Sequence, residues 1–450
     1  MRIVVVGAGP TGLYIATALA RRGRDVVVID RDPGPADGQP TWHRRGVMQF
    51  HHAHTFRGPV VDALRAEMPD VLERLTQTGA TTVTAPDGSP VALLCRRMVF
   101  ERELRRTAQH EPRITLVSGH VDGVQRERGR VVGVDVQGRH LHTDLVIDAS
   151  GRASRTLRRL RGAGEGGPCG AAYVSRQYRL RDDASPGPVN SPVGLSLSFD
   201  AYFAVMFLHD DRTFSVTITH DGTDPRIRRL RFTPVFEEAV RAIPQLAPWI
   251  DARRSHPITP VLPGGQLYNS YRGQLDGRGR PVLPGLISVG DAVCTTTPLA
   301  GRGVSLALAQ ARALVGSLGG GALDIDSATI AFDHWCTANI RPWFEDHMWC
   351  DSARMRRWSG VDIDPTGALP SDLVVAAAAA DPSLRAAVAP YDAMLALPAS
   401  LDAVQARARA IYAGGWRPAP ATGPTRDELG ALCADSRLDS WRTEPTACNG

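Results

Sequence analysis

Residues 1–32 read MRIVVVGAGPTGLYIATALARRGRDVVVIDRD, and the hydrophobic pattern of these residues indicates the fold class of the chain. Its apolar runs IVVV and VVVI have the composition of parallel strands that are buried on both faces. The segment between them, LYIATALARRG, has helical periodicity and ends at Gly23. The sequence therefore predicts a strand, a tight turn, a helix and a second strand, which is how a Rossmann-type α/β domain begins.

The turn after the first strand contains three glycines in the pattern G-x-G-x-x-G, and an aspartate ends the second strand. Glycines let the backbone approach a pyrophosphate, and the N-terminal end of the helix carries partial positive charge. The aspartate can accept hydrogen bonds from ribose hydroxyls, so in this context the pattern predicts a dinucleotide site. The predicted contact residues of this segment are Gly7, Gly9, Pro10, Thr11, Gly12, Asp30 and Arg31.

A second segment, GDAVCTTTPLAGRGVSLALAQA at 290–311, follows another apolar run far downstream. Asp291 suits a ribityl hydroxyl, and the loop 298–303 would present backbone N–H groups at the start of the next helix. A helix N-terminus is the right electrostatic partner for the pyrimidine edge of a flavin, which becomes anionic on reduction. A nicotinamide would not need this second site, so the predicted dinucleotide is FAD.

Two further stretches strengthen the pattern: R-R-G-V at 44–47 and R-x-x-F-E-x-x-L at 97–104. With them the chain resembles the FAD-dependent monooxygenases of the p-hydroxybenzoate hydroxylase superfamily over roughly the first 320 residues. The resemblance implies that two arginines lie along the FAD, that a valine contacts its adenine end, and that the second loop lies beside the isoalloxazine. In this sequence those positions are Arg44, Arg97, Val121, Gly301, Gly303 and Val304.

The chain departs from the family pattern at two motifs. The segment DASGRAS at 148–154 has Ser150 where the family has an aspartate that touches FAD and NADPH, which weakens the case for direct NADPH use. The segment GDAVC has Cys294 in place of a histidine. These segments look more like a subgroup of polyether-forming epoxidases and other natural-product oxidases than like the phenol hydroxylases.

The reaction implied by the resemblance is reduction of FAD, capture of O2 as a C4a-(hydro)peroxyflavin, and transfer of one oxygen atom to an aromatic ring or alkene. The implied substrate is a small specialised metabolite, as in antibiotic biosynthesis. The electron donor stays open between NAD(P)H and reduced flavin from a partner reductase, with a slight preference for slow direct reduction. The alternatives are a flavin-dependent reductase or dehydrogenase of the geranylgeranyl-reductase type and a non-catalytic flavin-binding protein. A flavin halogenase is disfavoured because the chain contains no lysine.

The remaining candidates for chemistry are less specific. His52 and His54 belong to the run HHAH, where a catalytic or flavin-contacting role competes with a structural one, and the absence of nearby carboxylates argues against a metal. On a predicted strand at 202–208, alternate side chains should face the cofactor. The substrate-pocket candidates there are Tyr202, Phe203, Met206 and Phe207. The Trp-rich stretch 335–358 can either line a cleft or form a packing face.

These patterns predict an α/β protein with a discontinuous Rossmann-type FAD domain. The expected division is FAD domain over 1–165 and 281–325, an inserted antiparallel-sheet substrate domain over 166–280, and a helical C-terminal region over 326–450. With 43% hydrophobic and 22% charged residues the chain has ordinary globular composition. The dispersed arginines and net charge of +5 argue against nucleic-acid binding. No signal peptide, membrane span, disulfide framework or CxxC zinc motif is predicted, and seven scattered cysteines, including Cys448, indicate a cytoplasmic protein.

Overall fold

The computed structural model describes residues 1–36, 39, 42–153, 157, 159–161, 164–319, 324–435 and 437–438. Cys448, Ser154 and residues 439–450 of the predicted C-terminal region lie outside the described residues.

The strands alternate with helices in the first third of the chain and then follow one another closely. In chain order they are β1 Arg2–Val6, β2 Asp25–Asp30, β3 Phe56–Arg57, β4 Thr81–Thr84, β5 Pro90–Leu94, β6 Ile114–Ser118, β7 Val121–Glu127, β8 Arg130–Val136, β9 Arg139–His142, β10 Leu145–Asp148, β11 Glu165–Pro168, β12 Ala171–Leu180, β13 Gly194–Ser198, β14 Tyr202–Leu208, β15 Thr213–Asp221, β16 Ser255–Pro257, β17 Leu262–Gly264, β18 Tyr268–Tyr271, β19 Leu286–Ser288 and β20 Cys294–Thr295.

The helices dominate the C-terminal third. They are α1 Pro10–Arg21, α2 Gly58–Glu67, α3 Pro69–Gln77, α4 Arg97–His110, α5 Thr233–Arg241, α6 Gly303–Ser317, α7 Ile325–Asn339, α8 Arg341–Trp358, α9 Ser371–Ala377, α10 Arg385–Asp392, α11 Asp402–Ala413 and α12 Arg426–Ala434. In the part of the chain that the structure describes, no helix is long and apolar enough to cross a membrane.

A five-stranded sheet in the order β19-β10-β1-β2-β6 forms the centre of the nucleotide-binding fold. Every neighbouring pair in it is parallel, and the apolar side chains of β1 are buried, as the sequence predicts. The helices α4 and α6 both pack against α1 beside this sheet. Strand β19 joins the sheet only after the chain has formed an antiparallel sheet elsewhere, so the parallel sheet is built from discontinuous pieces of sequence.

The antiparallel sheet has the order β13-β14-β15-β12-β16, and β17 also pairs with β12. One of its faces carries apolar side chains that pack with α5 and α12 in a second hydrophobic core. The opposite face, here called the inner face, contacts the segment 49–52 that follows the nucleotide-binding elements. The Rossmann-type α/β fold with an antiparallel sheet is therefore confirmed. Smaller sheets β3-β5-β4 and β7-β8-β9 flank the parallel sheet.

One predicted helix is divided in the structure. The sequence at 60–80 predicts one helix, but the structure has α2 and α3 separated at Met68, because Pro69 cannot continue a helix and is favoured at the start of the next one.

In the Trp-rich stretch, Trp343 and Phe344 of α8 are buried in the same hydrophobic core as α1 and α6. These two residues therefore form a packing face.

Candidate cofactor and active site

A cavity of about 280 Å³ lies at the carboxyl ends of the parallel strands. The last residue of β2 and the residues that directly follow β1, β10 and β19 all line it, which is the place where open parallel sheets bind their ligands. The predicted site residues on its wall are Gly7, Gly9, Pro10, Thr11, Asp30, Arg44, His54, Arg97, Asp291, Gly301, Gly303 and Val304. The structure therefore brings together two segments that are separated by about 280 positions in the sequence.

Four predicted site residues lie beside the cavity and do not line it. Gly12 packs against the first turn, and Val121 packs in an apolar cluster with strands β1 and β2. The guanidinium of Arg31 lies against Gly46, a cavity-lining residue. His52 is directed toward the antiparallel sheet. Sequence spacing alone could not separate these supporting positions from those on the wall.

The first glycine loop is shaped by backbone contacts. Gly7 has φ of +108°, which side chains rarely adopt, and a Cβ atom there would lie 2.5 Å from the carbonyl oxygen of Ala149. A Cβ atom at Gly12 would lie 1.9 Å from the carbonyl oxygen of Gly7. At Gly9, in contrast, a Cβ atom would meet only Arg44, at 3.8 Å. Two of the glycines permit tight packing, and the third leaves its open side toward the cavity.

Carboxylates and arginines form a buried network at one end of the cavity. The carboxylate of Asp30 accepts hydrogen bonds from the backbone N–H of Ala8 at 2.6 Å and from Arg44 Nη2 at 2.6 Å. Arg44 Nη1 also donates to Glu101 at 2.6 Å, and Arg97 Nε donates to the other oxygen of Glu101 at 2.5 Å. Glu101 is fully buried, so both arginines are held in place by one carboxylate.

The second loop presents a second helix start to the same cavity. Gly301 has φ of +66°, and Gly303 begins α6 without a capping side chain or an acidic residue in the first turn. Helix α1 likewise begins at Pro10 without a side-chain cap. The N–H groups in the first turn of a helix have no partner within the helix, so both starts favour a ligand with negative charge or acceptor oxygens.

Asp291 lies on the wall between these helix starts. Burial raises the pKa of its carboxyl above the usual range, and the positive charges of Arg97 and Arg152 oppose that rise. Two further side chains on the wall, Thr55 and Thr296, have buried hydroxyl oxygens without a hydrogen-bond partner among the described residues. A polar ligand would satisfy these groups, so the residues present fit a dinucleotide such as FAD.

The two candidate histidines have different surroundings. His54 Nδ1 lies 2.9 Å from the carbonyl oxygen of His52, so Nδ1 carries the proton and Nε2 is left as an acceptor, 3.4 Å from Arg97 Nη1. Burial and the charge of Arg97 hold the pKa of His54 well below its usual range. His52 Nδ1 lies 2.6 Å from Ser175 Oγ, and burial lowers its pKa to about 4. Both side chains are neutral at pH 7, and the described residues contain no cluster able to hold a metal ion.

The four predicted substrate-pocket residues do not line the cavity. Tyr202 and Met206 point to the apolar face of the antiparallel sheet, where the Tyr202 hydroxyl donates to the carbonyl oxygen of Pro424 at 2.5 Å. The prediction is wrong for these two residues because the strand alternation places them in the second hydrophobic core. Phe203 and Phe207 lie on the inner face and are half-buried.

Sequence reasoning missed the polar side chains of that inner face. Ser175, Ser215 and Thr217 are buried there. The register of β12 and β15 pairs Ser175 with Thr217 and Gln177 with Ser215. His209 Nε2 lies 2.9 Å from Ser215 Oγ, and burial lowers the pKa of His209 to about 4. The run TFSVTITH at 213–220 indicated a polar face of this strand, because its polar residues alternate with apolar ones. In the structure both sets of side chains are buried.

The departures from the family motifs also have a defined place. Ser150 lines the cavity, and its hydroxyl donates to the carboxylate of Asp148 at the end of β10. Cys294 is buried in strand β20, and burial raises the pKa of its thiol. Arg152 lines the cavity and lies 5.7 Å from the ring centre of Tyr268.

Comparison with known proteins finds similarity in the first part of the chain. Residues 2–113 match the family model of FAD dependent oxidoreductases. The FixC protein of Salmonella typhi is 31% identical over 166 residues, which cover 35% of this chain and 38% of that protein. This alignment therefore spans less than half of the FixC protein.

Solved structures match over most of the chain. PqsL of Pseudomonas aeruginosa, described as a probable FAD-dependent monooxygenase, superposes with a TM-score of 0.60 at 16% identity, covering 80% of this chain and 98% of PqsL. A triple mutant of the flavin-dependent brominase Bmp2 superposes with a TM-score of 0.58 at 15% identity, covering 92% of this chain and 97% of that one. At these identities the likeness concerns the fold.

The glycine loop, the paired helix starts and the family match lead to one conclusion. Residues 2–113 match the model of the FAD dependent oxidoreductases, and the chain has the fold of PqsL and of the brominase Bmp2.

Proposed function

We propose that the protein is an FAD-dependent monooxygenase that inserts one oxygen atom into a small aromatic or olefinic substrate, of the kind found in specialised metabolism. The observation that carries the proposal is the meeting of two uncapped helix starts at one cavity, with Asp30 at one end and Asp291 beside the second start. A flavin dinucleotide has a pyrophosphate and a flavin ring that need these two electropositive positions.

The first loop would hold the pyrophosphate against Gly9 and the N-terminus of α1, with Asp30 at the adenosine ribose. Arg44 and Arg97 would lie along the cofactor, and Asp291 would accept a hydrogen bond from a ribityl hydroxyl. The loop 298–303 would face the isoalloxazine. We also propose the corresponding division of the chain, in which the FAD domain comprises residues 1–165 and 281–325 and the antiparallel sheet of residues 166–280 covers the substrate.

Bound reduced flavin would supply the electrons that activate O2 for oxygen transfer. The task left to the protein is to orient the substrate and to exclude water. His54 is the stronger of the two histidine candidates, because it lines the cavity and its Nε2 is an unprotonated acceptor. It would accept a hydrogen bond from a substrate hydroxyl, while His52 would hold the inner face of the sheet through Ser175.

The electron donor follows from what the chain offers. Residues 165–450 contain no second G-x-G-x-x-G after an apolar strand, so NAD(P)H has no dinucleotide domain of its own. We propose that NAD(P)H docks transiently and reduces FAD slowly until substrate is bound. A partner flavin reductase is the alternative, because Ser150 replaces the carboxylate that would organise the docking region.

The experiment begins with the purified protein. We expect one FAD per chain, held noncovalently and released by acid. Stopped-flow absorbance should show slow bleaching of the flavin band by NADPH alone and faster bleaching with substrate. Rapid bleaching without substrate would contradict the gating, and no bleaching with substrate would favour a reductase partner.

The second candidate is a flavin-dependent reductase or dehydrogenase, which would use the same cofactor site. Oxygen consumption that is matched by an oxygenated product separates the two. Substrate turnover without oxygen uptake would exclude the monooxygenase, and FAD that accepts electrons from no donor would favour a non-catalytic flavin-binding protein.

A further inference from the structure

Helix α8 carries two buried carboxylates that reach opposite ends of the loop before α6. Asp346 and Asp351 are 5% and 3% exposed, and they contact Arg302 and Thr297, which are 6% and 1% exposed. Burying a carboxylate is costly unless donors surround it, so such contacts serve to define a geometry.

Asp351 holds the N-terminal end of the loop. The hydroxyl of Thr297 donates to Asp351 Oδ2 at 2.9 Å, and Asn269 Nδ2 donates to the same oxygen at 2.8 Å. Asn269 in turn accepts the backbone N–H of Thr297 at 2.8 Å, and Arg354 donates to Asp351 Oδ1 at 2.7 Å. Both the side chain and the backbone of Thr297 are therefore tied to this carboxylate.

Asp346 holds the C-terminal end. Arg302 Nη1 donates to Asp346 Oδ2 at 3.1 Å, and the guanidinium carbon lies 4.7 Å from the ring centre of Trp343 and 4.5 Å from that of Tyr391. The Tyr391 hydroxyl also donates to Asp346 Oδ2, at 2.7 Å, and the Ser371 hydroxyl donates to Oδ1. The guanidinium of Arg302 is thus held by the charge of Asp346 and by the rings of Trp343 and Tyr391.

Between these two anchors the loop borders the cofactor cavity with Pro298 and Gly301, and Thr296 borders it just before the first anchor. Gly303 then begins α6. No side chain caps α6, and its first turn contains no acidic residue, so the direction of its N–H groups depends on how the loop is held.

We propose that Asp346 and Asp351 are positioning residues for the cofactor, and that the C-terminal helix α8 is thereby part of the flavin site. The inference rests on the proposed function in one respect, namely that the loop faces the isoalloxazine. The clamp, meaning the contacts of Asp346 and Asp351 with the loop, directs the N–H groups of α6 toward the flavin edge that becomes negative on reduction. Loosening it weakens binding of reduced FAD more than binding of oxidised FAD.

The test compares variants that open the clamp with one that does not. Asp351→Asn and Asp346→Asn remove each carboxylate charge, and Thr297→Val removes only the loop hydroxyl, leaving Asp351 paired with Asn269 and Arg354. The matched control is Asp372→Asn. Asp372 lies in α9 and pairs with Arg357 of α8, and it has no contact with the loop in the described structure.

The measurements are the dissociation constant of FAD, the reduction potential of the bound flavin and the free energy of unfolding of the apoprotein. We expect the dissociation constant to rise about tenfold or more in the aspartate variants and about threefold to tenfold in Thr297→Val, since charge-assisted hydrogen bonds have this range of strength. The potential should become more negative, by about 30 mV for each tenfold excess loss of reduced over oxidised flavin. In Asp372→Asn the FAD dissociation constant should change by less than about twofold, and the reduction potential by no more than the shift that corresponds to that factor.

A clamp with a merely structural role would lower the stability of the apoprotein without changing the potential. Should Thr297→Val and Asp351→Asn fold and keep the wild-type FAD affinity and potential, the clamp proposal is wrong while the proposed function stands. Failure of the wild-type protein to bind FAD would instead overturn both.

Discussion

The helices α1 and α6 begin at the same cavity, but their starts are built in different ways. The start of α1 follows β1 directly, and its shape depends on two glycines. The missing side chain of Gly12 leaves room for the carbonyl oxygen of Gly7 five residues earlier, and Gly7 has φ of +108° and packs against the backbone of Ala149. The start of α6 is held by Asp346 and Asp351, which lie 40 or more positions away in the sequence. The start of α1 is therefore shaped by glycines in its own loop and the start of α6 by distant side chains, although both helices begin at one cavity with N–H groups that have no partner within the helix.

The two helix starts should therefore respond differently to substitution. Substituting the glycines that shape the start of α1 should disrupt that start. The start of α6 should instead accept a substitution at its first residue and be sensitive to substitution of its anchors, Asp346 and Asp351. The following five predictions test the comparison in order of decreasing effect.

The largest effect is expected for Gly12→Ala. The new Cβ atom would lie 1.9 Å from the carbonyl oxygen of Gly7, which is backbone and cannot move aside without displacing β1 or α1. We expect the free energy of unfolding to fall by about 3 kcal/mol or more and FAD to be lost. Chemical denaturation and the flavin absorbance of the purified variant measure both, and near wild-type values would mean that the first loop is not defined by close packing.

Asp291→Ala should lose most bound FAD while the fold is retained. The expected increase in the FAD dissociation constant corresponds to about 1–3 kcal/mol, because a ribityl hydroxyl would lose its acceptor. Far-ultraviolet circular dichroism serves as the control for folding. Normal FAD occupancy in this variant would show that the second segment does not hold the cofactor.

The same residue predicts a pH dependence. Burial raises the pKa of Asp291 in the free protein, and a donated hydroxyl stabilises the ionised form, so FAD binding should release a proton. The affinity should then fall as the pH is lowered through the raised pKa, and this component should vanish in Asp291→Asn. Titration calorimetry in buffers with different ionisation enthalpies measures the released proton, and equal heats in all buffers would contradict the assignment.

Gly301→Ala should have an intermediate effect. Its φ of +66° costs a residue with a side chain about 1 kcal/mol, and a Cβ atom would contact Thr55 at 3.4 Å, which is ordinary packing. We expect a loss of stability of about that size and a modest loss of FAD affinity. A destabilisation as large as that of Gly12→Ala would remove the distinction between the two helix starts.

The smallest effect on folding is expected for Gly303→Ala, the first residue of α6. A Cβ atom there meets nothing within 4 Å, so the free energy of unfolding should change by less than about 0.5 kcal/mol. The FAD dissociation constant is the informative measurement, because the methyl group would border the cavity. A stability loss comparable with that of Gly12→Ala would contradict a start that is held by distant anchors.

The sequence was most informative where structure is local. The glycine loop, Asp30 and the alternation of strands and helices could be predicted because each is marked by residue types within one short stretch. The substrate-pocket prediction failed at Tyr202 and Met206, because alternation along a strand shows that two faces exist but not which face is covered by α5 and α12. The polar inner face with Ser215 and Thr217 could have been inferred from the same alternation.

The Rossmann-type unit and its glycine-rich turn can be recognised in the amino-acid sequence alone, since glycine conformations and buried parallel strands follow from short-range sterics and hydrophobicity. Three features became visible only in three dimensions: β19 returns to the parallel sheet, His54 and not His52 faces the cavity, and Asp346 and Asp351 anchor the second loop. Buried ion pairs and sheet faces are selected by the packing of distant elements, so no short stretch of sequence carries that information.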